Sequence, residues 1–374
     1  MSLPEHAYAA ALASFDNMNV HRLSALLRHQ QPSVAWEVVQ GRRPAQGLIA
    51  KVLSDDGVRG LWARNARDIV PEQVWGRCVE LGLHVVLHGE EGYPVLLVDD
   101  PLPPPVLFLK GDRALLAGRR VGIVGTRNAT AGGRQSARSL GLGLAAAGVH
   151  VVSGLARGVD GCAHQGALAA EGQGRPIAIV ASGLDVVYPR EHRDLWSAVG
   201  NCGLLMSEAP PGIGPAPFRF PLRNRIVAAL SEVVVVVESR ERGGSLITAA
   251  EALDRSVPLM AVPGHPGNRA AAGTNALLRD GAAPVLDTGD VLAMLQLEHG
   301  RSGGVLSAEL RRRPRKEDIA VYRVLRDEPR TIDGVALLAD LSLVDAAMRL
   351  ARLELAGWVA QADGWFECVG APLR

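Results

Sequence analysis

The feature that most constrains the fold is a regular spacing of β-rich runs through the middle of the chain. Seven such runs begin at positions 121, 149, 176, 203, 232, 257 and 284, so consecutive starts are 25 to 29 residues apart. Stretches with a helical pattern lie between them, at 134–147, 159–170, 223–230 and 245–254. This period predicts βαβ crossover units and therefore a parallel sheet with helices on both faces. The chain is thus expected to be an α/β protein.

Other patterns flank this block and predict a division into domains. Residues 1–70 carry short helical patterns separated by prolines and a glycine, which predicts an N-terminal helical domain. Residues 83–110 contain two further strand patterns, so the sheet domain is expected to span 75–297. Residues 298–315 have the composition of a linker.

The last segment, 316–374, predicts a small separate domain. Helical patterns cover 317–326, 332–338 and 343–355, and a hairpin pattern follows with its turn at 362–364. Thr331 is placed to cap the second helix. Three helices followed by a hairpin are the layout of a winged helix, a variant of the helix-turn-helix.

Charge is balanced overall but unevenly distributed. The chain has 40 Lys and Arg against 39 Asp and Glu, which argues against a histone-like or membrane-coating protein. Only three of the basic residues are lysines, and none follows a glycine, so an ordinary P-loop ATPase is excluded. Segment 119–230 alone holds 12 arginines and six acidic residues, so basic charge is expected to concentrate at the edge of the sheet that binds ligands.

Cysteine usage and hydropathy bear on the compartment. The four cysteines are far apart and form no C-x-x-C pair, so a zinc site or a disulfide framework is not expected. The chain shows no apolar run approaching 18 residues, and its first 19 residues lack the basic and apolar regions of a signal peptide. We therefore expect a cytoplasmic protein without a membrane contact.

The ligand edge of such a sheet is where parallel strands end, in the loops that precede the helices. Nearly every such loop combines small residues with an arginine or a hydroxyl group, as in 125–130, 153–160, 182–192, 220–225 and 238–245. Exposed backbone N–H groups at helix N-termini bind anions. The sequence therefore predicts an anion site along this edge.

Two enzyme classes are disfavoured. The only approximate G-x-G-x-x-G/A match, at 141–146, falls in the middle of a predicted helix, where it predicts close packing of that helix against the sheet rather than dinucleotide binding. No G-x-S-x-G or H-E-x-x-H motif is present. Glu208, Asp185 and Glu238 follow strands and are interpreted either as acid–base groups or as partners that orient an arginine.

A long series of motifs resembles the DprA/Smf family of DNA-processing proteins. In order these are VGIVGTR at 121–127, SGLARGVDGCAH at 153–164, GLDVVYP at 183–189, FPLRNRIVAALS at 220–231, VVVESRERGGSLITA at 235–249 and GTNALLRDGA at 273–282. The C-terminal run LARLELAGWVAQADGWF at 350–366 is similar to the winged-helix module of the family. The sequence departs from the family at Thr126, His192 and Ala229, and residues 1–70 lack the helix-hairpin-helix signal common in relatives.

The resemblance implies an extended Rossmann-like sheet domain that binds single-stranded DNA at its strand ends and forms a homodimer. It also implies a recombination mediator, not an enzyme and without a cofactor, that protects incoming strands and helps load the RecA recombinase. The DNA-binding residues that the resemblance places in this sequence are Arg127, Ser153, Gly154, Arg157, Arg190, Arg223, Asn224, Arg225, Gly244 and Ser245.

The chemistry of these residue types fits phosphate recognition. The five arginines supply charge, and the serines and glycines supply hydroxyl and N–H donors. Asn224 is interpreted either as a contact to phosphate or a base edge, or as the cap of the helix that follows. Tyr188, Phe218 and Phe220 could stack on bases, but in a chain with so few aromatic residues we expect each to lie in the core.

Two alternatives remain open on the sequence. Related sheets include nucleotide phosphoribohydrolases, although their P-G-G-x-G-T loop is not reproduced at Pro263-Gly264. The winged helix, with Arg349 and Arg352 beside Asp345 and Glu354, could bind DNA, but a protein contact is favoured because this helix is only weakly basic.

Overall fold

The large sheet predicted from the strand spacing has nine strands. The structure, a computed structural model, describes residues 3–296, 313–326 and 328–369. The strands are β1 (His84–Leu87), β2 (Val106–Gly111), β3 (Arg120–Val124), β4 (His150–Ser153), β5 (Pro176–Ile179), β6 (Leu204–Ser207), β7 (Val233–Val236), β8 (Leu259–Ala261) and β9 (Ala283–Pro284). Each of the seven predicted runs overlaps one of β3 to β9, and the patterns at 83–110 supply β1 and β2, so the predicted α/β class is confirmed.

The strand order creates a switch point in the middle of the sheet. The order is β1-β2-β6-β5-β4-β3-β7-β8-β9. Strands β3 to β9 are parallel, whereas β2 pairs antiparallel with β6 and β1 antiparallel with β2. The chain winds to one side of β3 through β4, β5 and β6, and to the other side through β7, β8 and β9. A crevice at the carboxyl ends of the strands is expected where the winding direction reverses.

Six helices at the N-terminus cover part of this sheet. They are α1 (Glu5–Ala13), α2 (Val20–Leu27), α3 (Pro32–Val39), α4 (Gly47–Leu53), α5 (Asp56–Asp68) and α6 (Pro71–Glu80). Their core, centred on Trp36 and Trp62, continues into Phe108 and Ala178 of the sheet. Helix α6 begins at the predicted domain boundary and packs against α1. The helical region of the structure therefore extends to Glu80.

Eight helices accompany the sheet itself and bury its strands. They are α7 (Val95–Val98), α8 (Ala131–Ala146), α9 (Val159–Leu168), α10 (Arg193–Cys202), α11 (Arg219–Ala229), α12 (Ser245–Asp254), α13 (Ala272–Arg279) and α14 (Thr288–Met294). Helix α8 packs closely on α9, and a Cβ atom at Gly141 would collide with the carbonyl group of Ala163. The stretch at 141–146 lies inside α8 as predicted, but the close approach at Gly141 is to helix α9 and not to the sheet.

The C-terminal segment has the predicted layout of three helices and a hairpin. Its elements are α15 (Ile319–Leu325), β10 (Arg330–Thr331), α16 (Ile332–Leu338), α17 (Leu343–Leu355), β11 (Val359–Ala362) and β12 (Trp365–Cys368). Thr331 caps α16 by accepting a hydrogen bond from the N–H of Gly334, as predicted. The three strands form a separate antiparallel sheet, and the segment has its own core around Tyr322, Leu350 and Trp358.

Most of the predicted linker, 298–312, lies outside the described residues. Among the residues that are described, no helix has both the length and the apolar character needed to cross a bilayer.

Candidate nucleic-acid interface

A small pocket lies at the carboxyl ends of β4 and β5, beside the switch point of the sheet. We call it the edge pocket, and its lining residues are Gly154, Ala156, Val180, Ala181, Ser182, Tyr188, Pro215, Phe220 and Arg223. These residues come from the loops after β4, β5 and β6 and from the first turns of α11. Two of the predicted DNA-binding residues, Gly154 and Arg223, therefore lie in its wall.

Aromatic rings and an arginine form a stacked group at this pocket. The Cζ atom of Arg127 lies 4.5 Å from the centroid of the Phe220 ring. The Tyr188 ring lies 5.6 Å from the Phe220 ring, centroid to centroid, and the two planes are inclined at 43°. Tyr188 is 41% exposed, so a face of this group is open to solvent. An exposed ring beside a guanidinium plane can stack on a nucleobase.

The expectation that these aromatic residues lie in the core is wrong for two of them. Tyr188 is exposed, and so is Phe218, which carries the guanidinium of Arg219 at 5.2 Å from its ring centroid. Both residues belong to loops that leave the sheet at its carboxyl edge, and Phe218 directly precedes α11. The low aromatic content of the chain does not indicate where individual rings lie.

Two more predicted arginines, Arg157 and Arg190, lie exposed near the pocket. Arg157 forms an ion pair with Glu191, and both side chains are largely solvated. This hydrogen-bonded pair raises the pKa of Arg157 and lowers that of Glu191. Arg190 begins a short 3-10 turn, Arg190–His192, and forms no ion pair within the described ranges. The partner of Arg157 was not predicted, although Glu191 stands beside Arg190 in the sequence.

Arg223 is buried in the wall of the edge pocket and is not exposed to solvent. Helix α11 begins at Arg219, four residues earlier than predicted, so Arg223 lies in its second turn instead of at its start. Its guanidinium donates to the carbonyl oxygens of Ile179 and Gly154, the latter at 2.7 Å. Burial lowers the pKa of Arg223 to about 10, although the carboxylate of Asp160 opposes this shift. Arg223 thus holds the ends of β4 and β5 together.

The residues around Arg223 leave space for its guanidinium and form hydrogen bonds within the protein. A Cβ atom at Gly154 would collide with the guanidinium, so glycine is needed there to admit the arginine. Asp160 accepts a hydrogen bond from the Gly154 N–H at 3.1 Å, and burial raises its pKa. Ser153 is fully buried, and its hydroxyl donates to the carbonyl oxygen of Ile123 at 2.6 Å. The N–H of Gly154 and the hydroxyl of Ser153 are thus both bonded within the protein.

Arg225 and Asn224 also have internal partners. Arg225 is 3% exposed; it forms an ion pair with Glu208 and donates to the carbonyl oxygen of Leu102 at 2.6 Å. The interpretation of Glu208 as a partner that orients an arginine is therefore confirmed. Asn224 lies inside α11, where its side-chain oxygen accepts from Nε of Arg223 at 3.3 Å. The alternative that Asn224 caps this helix is wrong.

Gly244 and Ser245 lie at the end of β7, on the other side of β3 from the edge pocket. Gly244 is exposed and precedes α12, and its Cβ position is open space. The Ser245 hydroxyl is buried and donates to the hydroxyl of Ser239 at 2.9 Å. In the same loop, Glu238 accepts hydrogen bonds from the N–H and the hydroxyl of Thr130, which fixes the loop after β3.

The basic segment 119–230 is not concentrated entirely at this edge, contrary to expectation. Arg119, Arg120 and Arg175 lie at the amino ends of strands. Arg119 forms an ion pair with Glu232, and Arg120 donates to the carbonyl oxygen of Leu230. Two arginines that sequence reasoning did not select, Arg193 and Arg219, follow β5 and β6 at the carboxyl edge. Position after a strand was the available signal for both.

Comparison with known proteins identifies the family. Residues 84–296, which contain the whole sheet and the edge pocket, match the family described as DNA recombination-mediator protein A. The chain belongs to this family. The match ends before the C-terminal segment, so the family assignment rests on the sheet and its loops.

Curated members of the recombination-mediator family are similar over most of their length. DNA processing protein DprA of Bacillus subtilis (strain 168) is 41% identical over 217 residues, which are 58% of this chain and 72% of the relative. Protein Smf of Escherichia coli (strain K12) is 34% identical over 294 residues, 76% of each chain. The DprA/Smf resemblance is therefore confirmed.

Solved structures of the family share the fold. DNA processing protein A from Streptococcus pneumoniae superposes with a TM-score of 0.65 at 29% identity, covering 78% of this chain and 98% of that one. DNA processing protein A from Helicobacter pylori, solved in a study of its single-stranded DNA binding mode, gives a TM-score of 0.51 at 30% identity and covers 57% of this chain and 95% of that one.

Proposed function

We propose that this chain binds single-stranded DNA at the carboxyl edge of its sheet and acts as a recombination mediator without enzymatic activity. The observation that carries the proposal is the stacked group of Arg127, Phe220 and Tyr188 at the edge pocket. The guanidinium supplies positive charge that attracts a phosphate. The exposed ring supplies a surface on which any base can stack. In a duplex the bases are stacked on one another, so this group favours single strands.

The solvent-facing cations near the stacked group support the same proposal. Arg127, Arg157, Arg190 and Arg193 are all exposed and follow β3, β4 or β5. Their spread along the edge matches an extended polyanion better than a mononucleotide. The related protein from Helicobacter pylori, which was studied for its binding of single-stranded DNA, shares this fold.

A salt-titrated binding assay tests the proposal. Oligonucleotides of equal length, single-stranded and blunt duplex, are compared by fluorescence anisotropy. We expect tighter binding of the single strand and a log Kd that changes with log salt by about 0.7 for each phosphate neutralised. Equal affinity for the duplex, or affinity that does not change with salt, would overturn the proposal.

We further propose that the bound protein protects incoming strands and helps load RecA during transformation, recombination or both. The support is membership of the recombination-mediator family. The test measures RecA filament nucleation on strands already coated with single-strand binding protein. Added protein should shorten the lag before nucleation, and Arg127→Ala should restore the lag. Nuclease resistance of the coated strand provides the matching test of protection.

The proposed homodimer would form through the sheet domain. Strand β9 lies at one edge of the sheet, and Leu286, two residues after it, is 81% exposed. A large apolar side chain exposed at the edge of a sheet is a candidate contact with another chain. We expect Leu286→Arg to lower the mass measured by sedimentation equilibrium; an unchanged mass would place the dimer contact elsewhere.

The absence of catalysis is tested directly against the phosphoribohydrolase alternative. Asp160 and Glu238 are buried carboxylates near the strand ends: Asp160 accepts from the N–H of Gly154, and Glu238 accepts from the N–H and the hydroxyl of Thr130 in the loop after β3. Incubation with each nucleoside monophosphate, followed by chromatography for free base, should detect no release. Release that depends on Asp160 or Glu238 would favour the enzyme.

A further inference from the structure

An exposed aromatic ring lies outside the edge pocket, at the point where helix α11 begins. Phe218 directly precedes α11 and is 61% exposed. The guanidinium of Arg219 lies over its ring, with the Cζ atom 5.2 Å from the ring centroid. This pair repeats the arrangement of Arg127 over Phe220 at the edge pocket, where a guanidinium also lies over a phenylalanine ring.

The two phenylalanines form separate surfaces for stacking. The backbone of Phe218 already has helical angles, and residues two apart on a helix do not face the same side. Phe220 lines the edge pocket, whereas the side of α11 that carries Phe218 continues one turn later with Leu222, which is 40% exposed. A single base would therefore stack on one ring or on the other, and two bases are needed to cover both.

The charge around this ring favours an anionic occupant. Segment 209–231 contains three arginines and no acidic residue. Arg223 and Arg225 are bonded within the protein, whereas Arg219 forms no ion pair in the part of the chain that the structure describes. Burial lowers the pKa of Arg219 and the carboxylate of Glu208 opposes this shift, but Glu208 is already paired with Arg225. A cation that lies over an exposed ring is complementary to a nucleotide, because the ring can stack on the base while the cation meets the phosphate.

The ring is also continuous with the proposed DNA site. Pro215, three residues before Phe218, and Phe220, two residues after it, both line the edge pocket. We propose that Phe218 and Arg219 form a second nucleotide position for single-stranded DNA, with a base on the exposed ring and its phosphate at the guanidinium. The proposal rests on the function proposed above and extends it, because the edge of the sheet then holds two stacked bases of one strand instead of one.

The dependence of affinity on strand length tests the second position. Fluorescence anisotropy compares oligothymidylates of increasing length on the full chain. Phe218→Ala should match the wild type for the shortest strands that bind, and it should bind longer strands about five- to tenfold more weakly because one base stack is lost. Phe220→Ala should weaken binding at every length. Leu253→Ala, which shortens an exposed apolar side chain at the end of α12, is the control and should match the wild type throughout.

The same series separates failure of the second position from failure of the proposed function. If Phe218→Ala matches the wild type at every length while Phe220→Ala binds weakly, the second position is overturned and the DNA site at the edge pocket stands. If both variants match the wild type, the proposed site fails and the second position fails with it.

Photochemical cross-linking separates base stacking from an apolar contact. Strands that carry iodouracil in place of thymine form adducts with the rings on which they stack, and mass spectrometry of the peptides locates the adducts. We expect an adduct at Phe218 in addition to adducts at the edge pocket. Phe218→Tyr should keep an adduct at this position and the wild-type affinity. Phe218→Leu, which is apolar but has no ring, should lose the adduct and bind like Phe218→Ala.

Three results would overturn the proposal. The first is a set of adducts confined to the edge pocket, and the second is wild-type affinity of Phe218→Leu for long strands. The third is a lower sedimentation mass of Phe218→Leu with its DNA affinity unchanged, which would make Phe218 a contact between protein chains.

Discussion

The five arginines assigned to the DNA site divide into two groups that the structure treats in opposite ways. Arg127, Arg157 and Arg190 are exposed in the loops that leave the sheet. Arg223 and Arg225 are buried in α11 and are bonded to carbonyl oxygens and to Glu208. The same side chain therefore has two roles at one site: the first group can meet a phosphate, and the second holds together the strand ends that present the first.

The difference has an energetic origin. A buried guanidinium is stable only if acceptors replace its lost water, and each acceptor it uses is unavailable to a ligand. An exposed guanidinium keeps its water until a phosphate replaces it. Substitutions in the buried group should therefore affect folding first, and substitutions in the exposed group should affect only binding.

The largest effect is expected for Arg225→Ala. Removal of this buried cation leaves Glu208 without its partner, so the free energy of unfolding should fall by about 3–5 kcal/mol. Denaturant titration followed by circular dichroism measures the change. Arg225→Met combined with Glu208→Leu removes both charges and should recover most of the stability. If Arg225→Ala binds DNA poorly while unfolding like the wild type, the division between the two groups fails.

His164 is fully buried near Arg223 and makes the free energy of unfolding depend on pH. Burial lowers the pKa of His164 to about 3, below its ordinary value of 6.5. The folded state thus binds fewer protons, so this contribution to stability is complete above pH 6.5 and is lost as the pH falls toward 3. The expected loss between pH 7 and pH 4 is roughly 3 kcal/mol.

The free energy of unfolding is measured against pH for the wild type and for His164→Gln, and the difference between the two slopes isolates the contribution of His164. Asp160, whose pKa is raised, titrates in both proteins and cancels in the difference. His84→Gln, which replaces an exposed histidine, controls for the loss of a histidine elsewhere in the chain. Parallel stability curves for wild type and His164→Gln would show that His164 is not held neutral.

The sequence predicted the secondary-structure elements better than it predicted the tertiary contacts of the side chains. The spacing of buried strands fixes the parallel sheet and its ligand edge because only residues near in sequence form each βα unit. The burial of Arg223 depends on carbonyl oxygens of Gly154 and Ile179, which are far from it in the chain. Its motif therefore shows that the residue belongs to the site but not which way its side chain is directed. The stack of Arg127 on Phe220 is likewise a tertiary contact.

Arg127→Ala tests the exposed group. Loss of its charge and of its stacked plane should weaken single-stranded DNA binding roughly tenfold and reduce the salt slope by about 0.7. The free energy of unfolding should stay within about 0.5 kcal/mol of wild type because the side chain is exposed. Arg113→Ala is the matched control, since Arg113 is exposed after β2 at the opposite edge of the sheet. Equal losses in the two variants would indicate general attraction to charge rather than a site.

The smallest effect, and the sharpest test of the comparison, is expected for Glu191→Gln. Arg157 is exposed but paired with Glu191, so it stands between the two groups. Removal of the carboxylate frees the guanidinium and takes a negative charge from the site, which should raise single-stranded DNA affinity roughly two- to threefold at low salt. The gain should disappear when Arg157→Ala is added. Glu171→Gln, which removes an exposed carboxylate just after α9 near the amino edge, should leave affinity unchanged. An increase of the same size there would mean that Glu191 acts through net charge alone and that Arg157 is no part of the site.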